Sequence, residues 1–141
     1  VSYKYNPLSG EFDFFSPPTN EAKRLTDSKI ADSNMSALTM VVATSDTNID
    51  KATNDLLFPN ANVLGIILSS VTIGNPVEVL FFGKLDDAFF TFPVNDSLFL
   101  GINGTITNIP PVAPAATFST DIGYSLGTGS IFLKIEKPIG L

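Results

Sequence analysis

Any metal site in this sequence must be built from oxygen ligands, because it holds neither histidine nor cysteine. Without histidine the commonest general acid/base is missing, and no Ser-His-Asp or Cys-His arrangement can form. Without cysteine there is no disulfide and no zinc–thiolate site, and the redox compartment stays open. Asp46-Thr47-Asn48-Ile49-Asp50 has the D-x-N-x-D start of an EF-hand loop. Lys51 then replaces the turn glycine and Leu57 the bidentate glutamate. The segment reads better as a polar loop with a helix cap. Asp86 and Asp87 could serve as the paired carboxylates of glycoside hydrolysis, but they fall in an expected hairpin turn and read as solvated. Glu78 and Asp121 each lie in or beside an apolar strand. Such a charge ordinarily points outward or pairs, here with Lys84 or Lys134. Gly127-Thr128-Gly129 lacks the lysine and the following helix of a phosphate loop. The sequence therefore designates no catalytic residue, no cofactor and no metal ligand.

Sugar contact is the remaining small-ligand chemistry. Tyr124, in an expected strand, and the 110–121 loop are the candidates for a host-surface glycan, although there is no tryptophan and no evident aromatic platform. Three N-x-S/T sequons, at Asn34, Asn95 and Asn103, matter only in a secreted eukaryotic chain.

The elements that would position these groups follow from composition and pattern. A chain of 141 residues makes one domain, or one domain with an arm. The net charge of −6 and the lack of a Lys/Arg cluster argue against nucleic acid and against an anionic membrane surface. The longest apolar stretch, Val63 to Leu68, is far too short to span a bilayer. Residues 1–30 show no signal-peptide core. Thirteen charges fall in residues 1–55 and only seven in residues 56–135, so a polar first third precedes an apolar, strand-like body.

Residues 1–18 read as an extended arm, with turn pairs at Asn6-Pro7 and Ser9-Gly10 and a stop at Pro17-Pro18. Strand periodicity puts Phe12 and Phe14 on one face and Phe15 on the other. With Tyr3, Tyr5 and Leu8, these rings either dock on a partner or belong to a first edge strand. Residues 19–37 are expected to be a polar connector, as a short helix or an irregular loop. Residues 38–141 form the β-domain. Strands are expected at 38–43, 63–71, 77–82, 88–92, 97–102, 105–109, 122–126 and 130–135, with turns at 83–87, Asn103-Gly104 and Gly127–Gly129. Thr47 to Asp50 fits a capping box, which predicts a short helix with Ile49, Ala52 and Leu56 on one face. The expected fold is all-β: an antiparallel β-sandwich or small β-barrel with an extended N-terminal arm and at most one or two short helices.

Several strands are apolar on both faces. Phe81-Phe82 and Phe89-Phe90 are neighbours, so each pair puts one ring on each side of a strand. One ring can enter the core and the other needs a second layer. Leu56-Leu57-Phe58, Gly65-Ile66-Ile67-Leu68, Leu98-Phe99-Leu100 and Ile131-Phe132-Leu133 repeat the pattern. Exposing several such residues would leave a patch that monomers rarely tolerate. That predicts a homo-oligomer, with Phe81, Phe82, Phe89 and Phe90 as interface candidates. The alternative is a further layer supplied by the arm and the 19–37 segment.

Tyr5-Asn6-Pro7-Leu8-Ser9-Gly10-Glu11-Phe12-Asp13 resembles a short N-terminal segment of small tailed-bacteriophage virion proteins. Ala37–Met40, Val63–Ile67, Val79–Lys84 and Phe90–Pro93 follow an order that looks like the core of lambda-type capsid decoration proteins. Leu98–Gly104, Ile122–Tyr124 and Ile131–Ile135 are similar to β-domains of phage head and tail appendages. The resemblance implies a homotrimeric, non-enzymatic β-domain on the particle surface, assembled in the host cytoplasm. Its arm would bind other virion proteins of the capsid or tail. The β-structure after Pro93 exceeds the decoration pattern and suits a knob, head fibre or tail appendage, including a tip that binds a host glycan.

Overall fold

The computed structural model describes residues 2–6, 11–15 and 25–141. The fold is all-β, and its main body is one nine-stranded sheet that partly closes on itself. In chain order the strands are β1 (Ser2–Asn6), β2 (Glu11–Phe15), β3 (Leu25–Ala31), β4 (Met40–Ala43), β5 (Asn48–Lys51), β6 (Gly65–Ile67) and β7 (Pro76–Asp86). They continue with β8 (Ser97–Leu100), β9 (Ile106–Thr107), β10 (Phe118–Ser119), β11 (Asp121–Gly127), β12 (Ser130–Lys134) and β13 (Ile139–Gly140). A single helical turn, α1 (Phe58–Ala61), precedes β6, and a 3-10 turn spans Ile102–Gly104. β1 and β2 pair antiparallel, Ser2 opposite Phe15 and Asn6 opposite Glu11.

The long strand β7 organises the rest. Strands β3, β5, β4, β6 and β7 are neighbours in that order, and β3 returns to pair with β7, so the five close into a small barrel. β3 and β5 run parallel and the other pairs antiparallel. Each strand sends an apolar side chain inward: Ala31, Val41, Ile49, Ile67, and both Val77 and Val79 form one buried cluster. Phe82 is the branch point, because it pairs with Leu25 of β3 and also with Lys134 of β12. From there the sheet continues β7-β12-β11-β8-β9.

This second sheet folds over the outside of the barrel. Met40, Val42, Ile66 and Leu80 point out of the barrel and join Leu85, Leu98, Leu100, Ile122, Ile131 and Leu133 in a second, larger core. Adjacent residues of β4, β6 and β7 thus serve two cores. Much of the double-faced character is therefore satisfied within the chain, without a partner. The register of β3 slips opposite Phe81, between the Leu25–Phe82 and Thr26–Leu80 pairs. Such a bulge reverses the alternation of faces, which is why Leu80 and Leu85 reach the same core.

Several local expectations change. Leu25–Ala31 is a barrel strand rather than part of a helix or loop. It is polar because Thr26, Asp27 and Ser28 face solvent, while Ala31 alone is fully buried. The capping-box reading of Thr47–Asp50 also fails. Asn48–Lys51 is a strand, since filling the barrel with Ile49 outweighs a local cap. Leu56, placed on the same helical face, is exposed. The turn expected at 83–87 is displaced: β7 runs on to Asp86, and Gly83 enters the strand at φ +118° opposite Leu133. Residues 88–92 form no strand; Phe90 N donates to Asp87 O in a turn. The 63–71 strand shrinks to Gly65–Ile67, where Gly65 lies so close to Leu80 that a β-carbon would meet its carbonyl. The hairpins at Asn103-Gly104 and Thr128-Gly129 form as expected, with β8 against β9 and β11 against β12.

Candidate functional site

The carboxylates singled out by sequence do not converge. Glu78 is exposed on β7 opposite Ser28, whereas Asp121 lies on β11 opposite Phe99, with β12 running between those two strands. Asp86 pairs with Lys84 at 3.5 Å, and Asp87 accepts the Phe89 N–H at 2.8 Å to shape the turn. The Asp46–Asp50 segment spends its polar groups locally. Asp50 accepts from Ser33 Oγ at 2.6 Å, Asn48 Nδ2 donates to Asp32 at 2.7 Å, and Lys29 Nζ donates to the Asp46 carbonyl at 2.7 Å. Among the described residues no three acidic side chains gather as a metal site. Hydrogen bonds from Thr44 and then Asn48 hold the Asp32 carboxyl below its ordinary value of 3.8. Asn34, Asn95 and Asn103 are all exposed, and the last two have positive φ.

The aromatic doublets separate cleanly. Phe90 is fully buried in the larger core, so it is a packing residue and not a contact surface, whereas Phe89 is 71% exposed. Phe81 is half-buried against the barrel cluster, and Phe82 is 38% exposed. Of the arm residues, Leu8 lies outside the described residues. Tyr3, Tyr5, Phe12, Phe14 and Phe15 fall in β1 and β2, whose backbones alone are described.

Two surface features remain once these are placed. The first is an aromatic row on the outer face of β7, β12 and β11. Phe82 meets Phe132 edge-on at 5.3 Å, and Phe132 stacks on Tyr124 at 5.5 Å with the planes 19° apart. Leu25, paired with Phe82, extends the row and is exposed. Lys84 and Asp86 border it with charges of both signs. The sequence offered no platform for Tyr124 because its partner ring comes from the next strand.

The second is an open cleft of about 650 Å³ lined by Phe99, Ser119, Asp121, Glu136, Lys137 and Ile139. Pairing of β8 with β11 sets Phe99 beside Asp121, and pairing of β10 with β13 sets Ser119 beside Ile139. The Glu136 N–H donates to the Asp121 carbonyl at 2.8 Å and ties the C-terminal segment across the cleft. The Asp121 carboxylate accepts the Gly123 N–H at 3.0 Å.

No protein-family model matches this chain, and no curated protein matches it in sequence. The chain is similar to the head fiber gp8.5 N base of bacteriophage phi29, with 18% identity and a TM-score of 0.48. The match covers 84% of this chain and 99% of that one.

Sequence reasoning reached one side of the cleft, since the 110–121 loop named for glycan contact holds Ser119 and Asp121, and it missed the C-terminal side formed by Glu136, Lys137 and Ile139. A signal existed in Phe99, the outward middle residue of Leu98-Phe99-Leu100. Leu98 and Leu100 are fully buried while Phe99 is not.

Proposed function

We propose that this chain is a non-enzymatic structural component of a bacteriophage virion, a small β-domain that works as a homotrimer on the particle surface. Residues 1–18 fasten it to other proteins of the capsid or tail, as a decoration or head-fibre protein or as a tail appendage. The observation that carries the assembly part is the aromatic row of Phe82, Phe132 and Tyr124. These rings lie side by side on a sheet face, with Phe82 and Tyr124 each more than a third exposed although the chain has two cores to receive them. A face with an apolar centre bordered by both Lys84 and Asp86 suits another copy of itself better than a uniformly charged partner. The virion assignment is supported by the sequence resemblance in the N-terminal segment and the strand order. Glu78 and Asp121, the carboxylates the hydrolase reading named, lie on different strands and do not form its pair.

Light scattering coupled to gel filtration tests the assembly. The expected mass is about three times the 15.0 kDa chain, and a monomer at micromolar concentration overturns the reading. Deleting residues 1–18 should abolish incorporation into particles and leave a folded oligomer. Normal incorporation of that truncation would remove the arm from the proposal.

A further inference from the structure

We infer that the cleft between β8–β11 and the C-terminal segment is a binding site for a neutral saccharide. This inference does not depend on the virion reading. Its volume falls within the range of small-molecule sites, roughly 300–1,000 Å³. The lining is what such a ligand needs. Phe99 offers a ring to the C–H face of a sugar, with Ile139 as an apolar wall. Ser119, Asp121, Glu136 and Lys137 offer both acceptors and donors to its hydroxyls.

The charges are arranged for hydroxyl groups rather than for each other. Among the described residues neither Asp121 nor Glu136 forms an ion pair with Lys137, although all three line one cleft. The Asp121 carboxylate uses Oδ1 on the Gly123 N–H. That bond fixes the group while Oδ2 stays available to a ligand. Two carboxylates against one ammonium disfavour an anion. The aromatic ring and the size of the cleft exceed what a bare cation requires. The tether from Glu136 N to Asp121 O keeps the two sides of the cleft at a set spacing, so little ordering is required when a ligand enters.

The test is an NMR titration of the whole ¹⁵N-labelled chain. The probes are glucose, galactose, mannose, rhamnose and N-acetylglucosamine, with their short oligomers, each with and without EDTA. At least one sugar should give saturable shifts at Ser119, Asp121, Glu136 and Lys137, unchanged by EDTA. Phe99→Ala and Asp121→Asn should each weaken that binding about tenfold or more, the loss expected for a stacking ring or a charge-assisted hydrogen bond. Should either variant fail to fold, Glu136→Gln, at an exposed side chain, gives the same readout. The inference is overturned if no probe gives saturable shifts, if shifts appear with calcium chloride alone, or if sugar shifts centre on Tyr124 and survive the cleft substitutions.

Discussion

Phe89 and Phe90 are adjacent in the chain and opposite in burial, 71% exposed against fully buried, with their rings edge-on at 6.1 Å. The Phe90 carbonyl also accepts the Gly129 N–H at 2.7 Å, so the residue anchors the β11–β12 turn as well as the larger core. Phe90→Ala should therefore cost about 3–5 kcal/mol in urea unfolding, the range for emptying a packed aromatic site. Phe89→Ala should cost under about 1 kcal/mol, since it forfeits little more than an exposed edge contact. Equal losses at the two positions would contradict the burial described.

The aromatic row predicts an assembly variant that keeps its fold. Phe82→Ser combined with Tyr124→Ser removes two partly exposed rings and no fully buried one. The mass in solution should fall toward the 15.0 kDa chain, while the circular dichroism of the β-fold is retained. An undiminished oligomer would move the subunit contact elsewhere on the surface.

Asn54 predicts a chemically ordered series. Its buried Nδ2 donates to the Leu100 carbonyl at 2.9 Å, and its backbone carbonyl accepts the Thr117 and Phe118 N–H groups at 2.8 and 3.1 Å. Asn54→Ala leaves the Leu100 carbonyl short of a donor and should cost about 1–3 kcal/mol in urea unfolding. Asn54→Asp should cost more, because it buries a charge facing that same carbonyl. An aspartate variant as stable as the alanine one would argue against the bond.

Asp32 sets a modest acid dependence. Thr44 and Asn48 donate to its carboxylate and lower its folded value below 3.8. A depressed carboxylate stabilises the fold above its unfolded value and loses that contribution as pH falls through the folded one. Stability should therefore decline below pH 3.8, and Asp32→Asn should flatten that part of the profile. Solvent reaches this carboxylate, so the effect is small. The gap in stability between the two proteins should be constant above that window and close within it, so that only there do the slopes of their acid unfolding curves differ.

The sequence made the all-β class, the two tight hairpins and the presence of double-faced strands legible, because each rests on local signals. Asn103 and Gly104 adopt the positive φ that their turn requires, at 55° and 79°. What stayed hidden depends on non-local pairing. Nothing within Leu25–Ala31 announces a strand; its place is set by β5 and β7. The bulge at Phe81 changes which face Leu85 occupies, so counting alternate residues along β7 gives the wrong answer beyond that point. The same is true of the cleft, whose residues span Phe99 to Ile139 and meet through two separate strand pairings and the Glu136–Asp121 backbone bond.

Barrel closure by β3 also sets an order of events. This strand is the first of the barrel to be made, yet its partner β7 emerges only after β4, β5, α1 and β6. Its long-range pairing is one of the slow, entropically costly steps of folding. During synthesis the barrel interior waits open until that late seal, and any truncation reaching past Leu25 would leave it without one.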